Sequence, residues 1–492
     1  MSGAALCLSG CAIKKPNFAN TTPLAPADRK SLSVNDIHSQ LNATLVGEIA
    51  VPGSIDECQS ILRAARKTGR AISVAGGRHS MGGQQFADDS LLIDTREMKN
   101  VLSFDRERGL LDVEAGIEWP ELIRALHREQ EGQAHQWAIV QKQTGADNFT
   151  LGGSLASNVH DRALDQKPII ANVESFTLLD AEGELRECSR EKNPELFRLA
   201  IGGYGLFGVI ASVKLRLRDR VKVRRIVELR DLKDIPDGFE QRIRDGYLYG
   251  DFQFATDSQR DSFLRRGVFS CYLHVPQETV ITENPTRFSA EDWARLTYYT
   301  HVYKRRAFEI YTTRYLQTSG QVYWADSQLF GNYLDNYHEE LDRQLHARVP
   351  ATEMITEIDV PRSALVDFME EARVVLRKEN ANLIYGVVRL IEKDDESFLP
   401  WARGRFACVV FNLHVTHDRE GLDHAARSFC ALIDLAIKHN GSYYLTYHRF
   451  AARQQVESCY PQFAQFLAAK RQHDPAEIFQ SNWYRHYCKM FS

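Results

Sequence analysis

From Ala50 onward, short apolar runs alternate with amphipathic stretches. Ile55, Cys58, Ile61, Leu62 and Ala65 recur at the spacing of one helical face; Ser54 precedes them as an N-cap and Gly69 follows, so a helix is predicted here. Ala71-Ile72-Ser73-Val74-Ala75 reads as a strand leading into Gly76-Gly77-Arg78-His79-Ser80-Met81-Gly82-Gly83-Gln84. Strands are predicted at 91–94, 101–105 and 110–114, and an amphipathic helix at 120–128 with Pro120 in its first turn. A second glycine pair, Gly152-Gly153, sits among small residues that run into a helix-compatible segment. A hairpin follows at 173–180 and 183–188, turning at Asp180-Ala181-Glu182-Gly183; Gly202 to Gly208 then precedes a strand at 209–217. The mixture predicts an α+β fold.

Beyond Arg220 glycine thins and aromatics thicken, with Tyr247, Tyr249, Phe252, Phe254, Tyr298, Tyr299, Tyr303, Tyr311 and Tyr315. This shift marks a second domain, with helices at 363–378 and 421–439 and strands at 383–391 and 407–414. The expected organisation is a signal-like or disordered 1–40, a first domain at 41–219, a second at 220–445, and a C-terminal segment, 446–492, that returns to the first. No internal repeat is apparent in the sequence.

Composition narrows the function. With 43% hydrophobic residues in 492, the chain can build real cores. Its 61 Lys+Arg against 65 Asp+Glu leave a net charge of -4, which gives no broad attraction for nucleic acid. Nine cysteines occur without a CxxC pair, so neither a zinc ribbon nor a dense disulfide framework is written here. No apolar run reaches the roughly 18 residues of a membrane span. Ala4-Ala5-Leu6-Cys7-Leu8-Ser9-Gly10-Cys11 resembles a lipoprotein signal with Cys11 as the lipid-anchored residue. The alternative is an ordinary cytoplasmic terminus, so localisation stays open between a periplasmic, membrane-anchored lipoprotein and a cytoplasmic protein.

Glycine lacks a Cβ, so a glycine-rich loop lets successive main-chain N–H groups approach an anion such as a phosphate. A single such loop is more often a plain turn, and the loops at Gly76-Gly77 and Gly152-Gly153 carry neither GxGxxG nor Walker spacing. The specific signal is the whole set. The segment Gly76 to Gln84, then Leu92-Ile93-Asp94, Val113-Glu114-Ala115-Gly116, Thr150 to His160 and Gly202 to Ile210 occur in the order and spacing of the vanillyl-alcohol-oxidase (PCMH) type FAD domain. The chain resembles that family over this first part and again in its tail, where Tyr460-Pro461 to Trp483 is similar to the C-terminus of sugar-lactone oxidases and decaprenylphosphoryl-ribose oxidase.

The resemblance implies a two-part FAD-binding domain with an α/β substrate cap. It also implies that Gly76, Gly77, Arg78, His79 and Ser80, with Gln84, and the loop Gly152, Gly153, Ser154 and Ser157 cradle FAD. Asn158 and His160 would lie beside the flavin and Ile210 near the adenine. His79 stands where histidyl-flavin members bond the isoalloxazine 8α-methyl; the plainer reading is a loop histidine that touches the cofactor.

Flavin carries the redox step, so the protein must orient a substrate C–H and, for an alcohol, accept its hydroxyl proton. Lactone and alditol oxidases of the family use a Glu-x-Arg pair and a C-terminal Lys. Here Arg389 keeps the arginine, Val387 stands at the Glu position and Tyr447 at the Lys position. Tyr447 and His448 are the remaining candidates for proton transfer, although adjacent strand residues face opposite sides. For the same reason His414 and His417 should not converge, and no metal is expected. Phe463, Phe466, Trp483 and Tyr484 read as core, and the tyrosines at 298–315 either line a pocket or pack helices.

Three readings follow: an FAD-dependent oxidoreductase taking hydride from a CH–OH carbon of a small molecule, its electron acceptor open; a flavin-dependent reductase of an apolar alkene; and a degenerate binding module.

Overall fold

The computed structural model describes residues 32–331 and 337–492, a mixture of helix and sheet. The signal-like run with Cys7 and Cys11 lies outside the described residues. Residues before the expected boundary at position 40 already carry regular structure. Leu32–Val34 pairs with Thr44–Val46, and between them Asp36 accepts from Ser39 N at 2.6 Å and Asn42 Nδ2 at 2.9 Å. Asn42 also donates to Met81 O at 2.7 Å, so residues 32–40 belong to the fold rather than to a loose terminus. Polar residues that satisfy one another in a buried turn look like solvent loop in sequence.

In a three-stranded sheet, Glu48–Ala50 and Ile72–Ala75 flank Leu91–Asp94, each parallel to it. The helix Ile55–Lys67 is capped by Ser54 and buries Cys58, Leu62 and Ala65 in the cluster that contains Ile72, Leu91 and Ile93. The tail returns here: Ile72 N donates to Ile478 O at 2.7 Å and Gln480 N to Ile72 O at 2.8 Å. Phe463, Phe466, Trp483 and Tyr484 are buried core, as their pattern implied. A five-stranded antiparallel sheet follows in the order Leu185–Ser189, Val173–Leu179, Val209–Arg216, Leu110–Glu114, Val101–Asp105.

The second half is one eight-stranded sheet. Its order is Val322–Trp324, Lys222–Asp231, Arg266–Val275, Tyr247–Phe254, Leu383–Ile391, Phe406–Thr416, Ala351–Pro361, Ser442–Tyr443. Every pairing in it is antiparallel. Each half of the sheet is a split βαββαβ unit. In the first, Lys222–Asp231 and Tyr247–Phe254, joined through the helix Ile235–Arg244, flank Arg266–Val275. In the second, Ala351–Pro361 and Leu383–Ile391, joined through Leu365–Lys378, flank Phe406–Thr416. The units meet at Phe252↔Val388 and Gln253↔Val387. The repeat absent from the sequence is thus present in topology.

The described cysteines are free; Cys58, Cys188, Cys271, Cys408 and Cys459 are buried. No described helix is long and apolar enough to cross a membrane.

Candidate functional site: a glycine-walled cavity over a buried polar sheet

The strand Ile72–Ala75 delivers the first glycine loop to one wall of an elongated cavity. Gly76, Gly77, Arg78, His79, Ser80 and Gln84 line it. The main-chain N–H groups of Gly77, Arg78, His79 and Ser80 donate to no protein acceptor among the described residues. Arg78 takes the left-handed conformation, φ +59°, a backbone state that a non-glycine residue holds only where its surroundings enforce it. The glycines are required by close approach: a Cβ on Gly76 would lie 1.9 Å from Thr150 Oγ1, and one on Gly77 2.1 Å from Asn148 O. Unpaired main-chain donors facing a cavity form an anion-binding concavity.

The second glycine segment works differently from the expectation. It is a short helix, Leu151–Ala156, capped by Thr150. Gly152 N donates to Ala115 O at 2.7 Å and Gly153 N to Thr150 Oγ1 at 3.2 Å, so these amides are spent within the protein. Gly152, Gly153 and Ser157 therefore line the cavity as a smooth wall, which Tyr204, Gly205, Phe207, Gly208 and Ile210 extend.

Three expected contacts fall outside the cavity lining. Ser154 is buried, its hydroxyl accepting from Trp119 Nε1 at 3.0 Å and donating to Thr150 O at 2.9 Å. Asn158 donates to Asp394 Oδ2 at 2.9 Å and accepts from Ile170 N at 3.2 Å. His160 is turned into a buried pair with Glu357, Nε2 to Oε1 2.6 Å. In each case a local protein partner claims the polar group that sequence similarity assigned to the cofactor.

His79 is nearly enclosed. Its Nε2 faces Asn148 O at 3.1 Å, its Nδ1 faces His38 Nε2 at 2.9 Å, and Phe149 packs on its ring at 4.0 Å between centroids. Burial lowers its pKa to about 4. With Nε2–H donating to the carbonyl, Nδ1 carries the lone pair of a neutral imidazole.

Across the cavity lies one face of the eight-stranded sheet. Alternation puts Glu353, Ile355 and Glu357 on that face of Ala351–Pro361, beside Val410, Asn412 and His414 and then Tyr385 and Arg389. Arg389 is 8% exposed, lines both this cavity and an adjoining chamber, and makes no hydrogen bond or ion pair with any described residue. Glu357 is fully buried and accepts from His160 and from Tyr447 OH at 3.2 Å. Burial pushes its carboxyl up, but His160, Arg389 and the Tyr447 hydroxyl outweigh this and hold it below the ordinary carboxylate range. Burial and then the Glu357 charge push the Tyr447 phenol well up, so Tyr447 is a neutral donor, not a ready base.

The stretch after Tyr443 leaves the sheet and is tied to the first glycine loop. Gln84 Nε2 donates to Leu445 O at 2.9 Å, and Met81 N to Thr446 O at 3.1 Å. Tyr447 faces the cavity and His448 does not. His448 stacks on Phe429 at 4.7 Å and shares a 3.0 Å hydrogen bond with Thr356 Oγ1, a packing role that corrects its candidacy for proton transfer. Glu357 was not singled out in the sequence. Its only signal there is the polar alternation Glu353, Glu357, Asp359, which reads equally well as a solvent face.

The adjoining chamber is lined by Arg162, Asp251, Gln253, Trp293, Lys304, Tyr311 and Tyr315 among others, so part of the tyrosine cluster does line a pocket.

Comparison with known proteins defines the class. Residues 48–189 match the family model described as an FAD binding domain. The chain is similar to L-gulonolactone oxidase of Bos taurus, 29% identical over 194 residues, 39% of this chain and 42% of that protein. It is also similar to cytokinin dehydrogenase 2 of Oryza sativa subsp. japonica, 31% identical over 206 residues, 40% of this chain and 35% of the relative. D-arabinono-1,4-lactone oxidase of Yarrowia lipolytica is 30% identical over 169 residues, 34% of this chain and 31% of the relative. The matches thus span less than half of these relatives' own length. Residues 48–189 are thus similar to an FAD-binding domain, in line with the vanillyl-alcohol-oxidase (PCMH) type resemblance of the glycine loops. The free amides of the first loop and the closely approaching glycines fit the diphosphate of that cofactor.

Proposed function

We propose that the protein is an FAD-dependent oxidoreductase that removes hydride from a CH–OH carbon, with residues 32–219 and 446–492 holding the cofactor and 220–445 capping it as the substrate-binding part. The observation that carries this reading is Arg389, a buried guanidinium with no described protein partner beside the Glu357–Tyr447 pair. A buried arginine without a partner calls for an oxygen ligand.

Bound flavin would supply the two-electron acceptor. Arg389 orients the substrate oxygen. Tyr447 takes the hydroxyl proton from the substrate as its own proton passes to Glu357 Oε2, 3.2 Å away, while His160 holds the other carboxylate oxygen. The walls of Tyr385 and Ile355 keep water from the reacting carbon. Oxygen or another acceptor would serve as the terminal oxidant. The polar lining of the chamber, with Arg162, Asp251, Gln253 and Lys304, favours a hydroxylated small molecule over an apolar alkene. We also assign His79 as the point of covalent flavin attachment, supported by its neutral state and its place on the cavity wall; attachment through Nδ1 would displace the hydrogen bond from His38 Nε2.

Anaerobic titration of the purified protein with a panel of sugars, sugar lactones and alditols tests the redox assignment. Loss of the flavin band near about 450 nm with one of them is expected. A colourless protein that takes up no FAD overturns the proposal, as does recovery of colour in the reduced protein by alkenes with none of the alcohols bleaching it.

A further inference from the structure

At the wall between the cavity and the chamber, three imidazoles converge on one carboxylate. Glu353 comes from the strand Ala351–Pro361, His414 from its neighbour Phe406–Thr416, directly opposite in register, His301 from the helix Ala290–Val302, and His338 from the helix Tyr337–Gln344. Glu353 Oε1 is 2.8 Å from His301 Nε2 and 3.2 Å from His414 Nδ1, and Glu353 Oε2 is 3.2 Å from His338 Nδ1. The ligand atoms of His301, Glu353 and His414 all lie within 4.8 Å of one another. Atoms about 2.1 Å from a shared divalent ion stand roughly 3 to 3.4 Å apart, and the three separations from Glu353, 2.8 to 3.2 Å, are close to that.

Hydrogen bonding alone leaves this cluster unsatisfied. His301 Nδ1 faces Thr297 O at 2.8 Å and its Nε2 faces Glu353 Oε1 at 2.8 Å, so the ring is held between a backbone carbonyl and the carboxylate. A backbone carbonyl holding the far nitrogen is the arrangement that orients metal-ligating histidines. His338 is 4% exposed, yet neither of its ring nitrogens has a hydrogen-bond partner, and Glu353 Oε2 beside it has none either. A cation between these atoms would satisfy Glu353 Oε2 and one ring nitrogen of His338 together. His417, just beyond the end of its strand, bonds Thr352 Oγ1 at 2.8 Å; the other imidazoles on Glu353 come from helices.

We propose that His301, His338, Glu353 and His414 form a binding site for a divalent transition cation of the zinc class, the ions that imidazole and carboxylate ligands suit. The inference does not depend on the redox reading, because it concerns affinity for an ion and not turnover.

The test uses the purified full-length protein with whatever flavin it carries, dialysed against a chelator and then against micromolar zinc chloride, with bound zinc measured by mass spectrometry. About one zinc per chain is expected. Glu353→Gln and His414→Gln are each expected to weaken binding at least tenfold, and His417→Gln to leave it unchanged. Zinc uptake equal to wild type in the first two variants overturns the proposal, and so does a wild-type protein that retains none. Should either variant fail to fold by circular dichroism, anomalous scattering at the zinc edge from zinc-soaked wild-type crystals decides: a peak among the four side chains supports the site, and zinc bound only elsewhere overturns it.

Discussion

Glu357 lies in register with Val387 across one intervening strand: both residues are paired with Val410. The carboxylate that a Glu-x-Arg pattern would place two residues before Arg389 is therefore delivered from a different strand, two strand spacings or about 10 Å away, and reaches the cavity through Tyr447.

Glu357→Gln removes the charge but keeps the shape. Flavin reduction by substrate, followed in a stopped-flow instrument, is expected to slow by about a hundredfold or more with bound flavin unchanged, the usual scale for a lost proton acceptor. Tyr447→Phe should slow it similarly, and the double variant should be little worse than either single one, because both residues serve one proton path.

Arg389→Ala empties the oxygen-binding corner. Its expected signature is a KM raised at least tenfold together with a lower kcat, while Arg389→Lys recovers part of the charge but not the forked geometry. Steady-state kinetics on both variants separate binding from chemistry.

Gly77→Ala forces a Cβ to within 2.1 Å of Asn148 O, the same carbonyl that holds His79 Nε2. The loop must shift, at a cost of about 1 to 3 kcal/mol, and the free amides move with it. Flavin content per protein, read from the absorbance ratio, is expected to fall more than tenfold; a variant with full flavin content would show that the loop amides do not hold the cofactor.

His79→Ala is expected to abolish flavin mass on the denatured chain while leaving reversible flavin binding to the native one. Mass spectrometry of the denatured wild type, with the label mapped to the peptide bearing His79, gives the matching positive result.

Acid stability reports on His448. Burial lowers this imidazole to about 3, whereas in the unfolded chain it titrates near 6.5. Between those values the unfolded state binds more protons, so the contribution is complete above about pH 6.5 and is lost as pH falls toward 3, at up to about 1.4 kcal/mol per pH unit. His448→Phe should flatten the acid limb of Tm against pH, and should lower Tm at neutral pH because Thr356 Oγ1 loses its partner.

The first half of the chain was readable because its elements obey simple periods. Ser54 caps the helix Ile55–Lys67 as its spacing implied, and the strands Leu91–Asp94 and Leu110–Glu114 fall where their apolar runs lie. The first glycine loop, with His79, was legible as a motif. What the sequence hid is tertiary. Gly152 and Gly153 look like Gly76 and Gly77 in composition, yet a threonine cap and a neighbouring strand consume their amides. Glu357, Glu353 and His301 escape notice because their meaning depends on strands and helices far apart in the chain. Asn158 and His160 misled for the converse reason: buried partners contributed by Asp394 and Glu357 claim them.

The seam of the eight-stranded sheet carries a last implication. Each βαββαβ half completes its own ladder, and the two ladders are joined strand to strand at Phe252↔Val388 and Gln253↔Val387. The aromatic helices that shape the chamber hang from one half, and Glu357 with Arg389 from the other. If the proposed function holds, changes in the helices of the first half can alter what the chamber accepts while Glu357, Arg389 and Tyr447 keep their places.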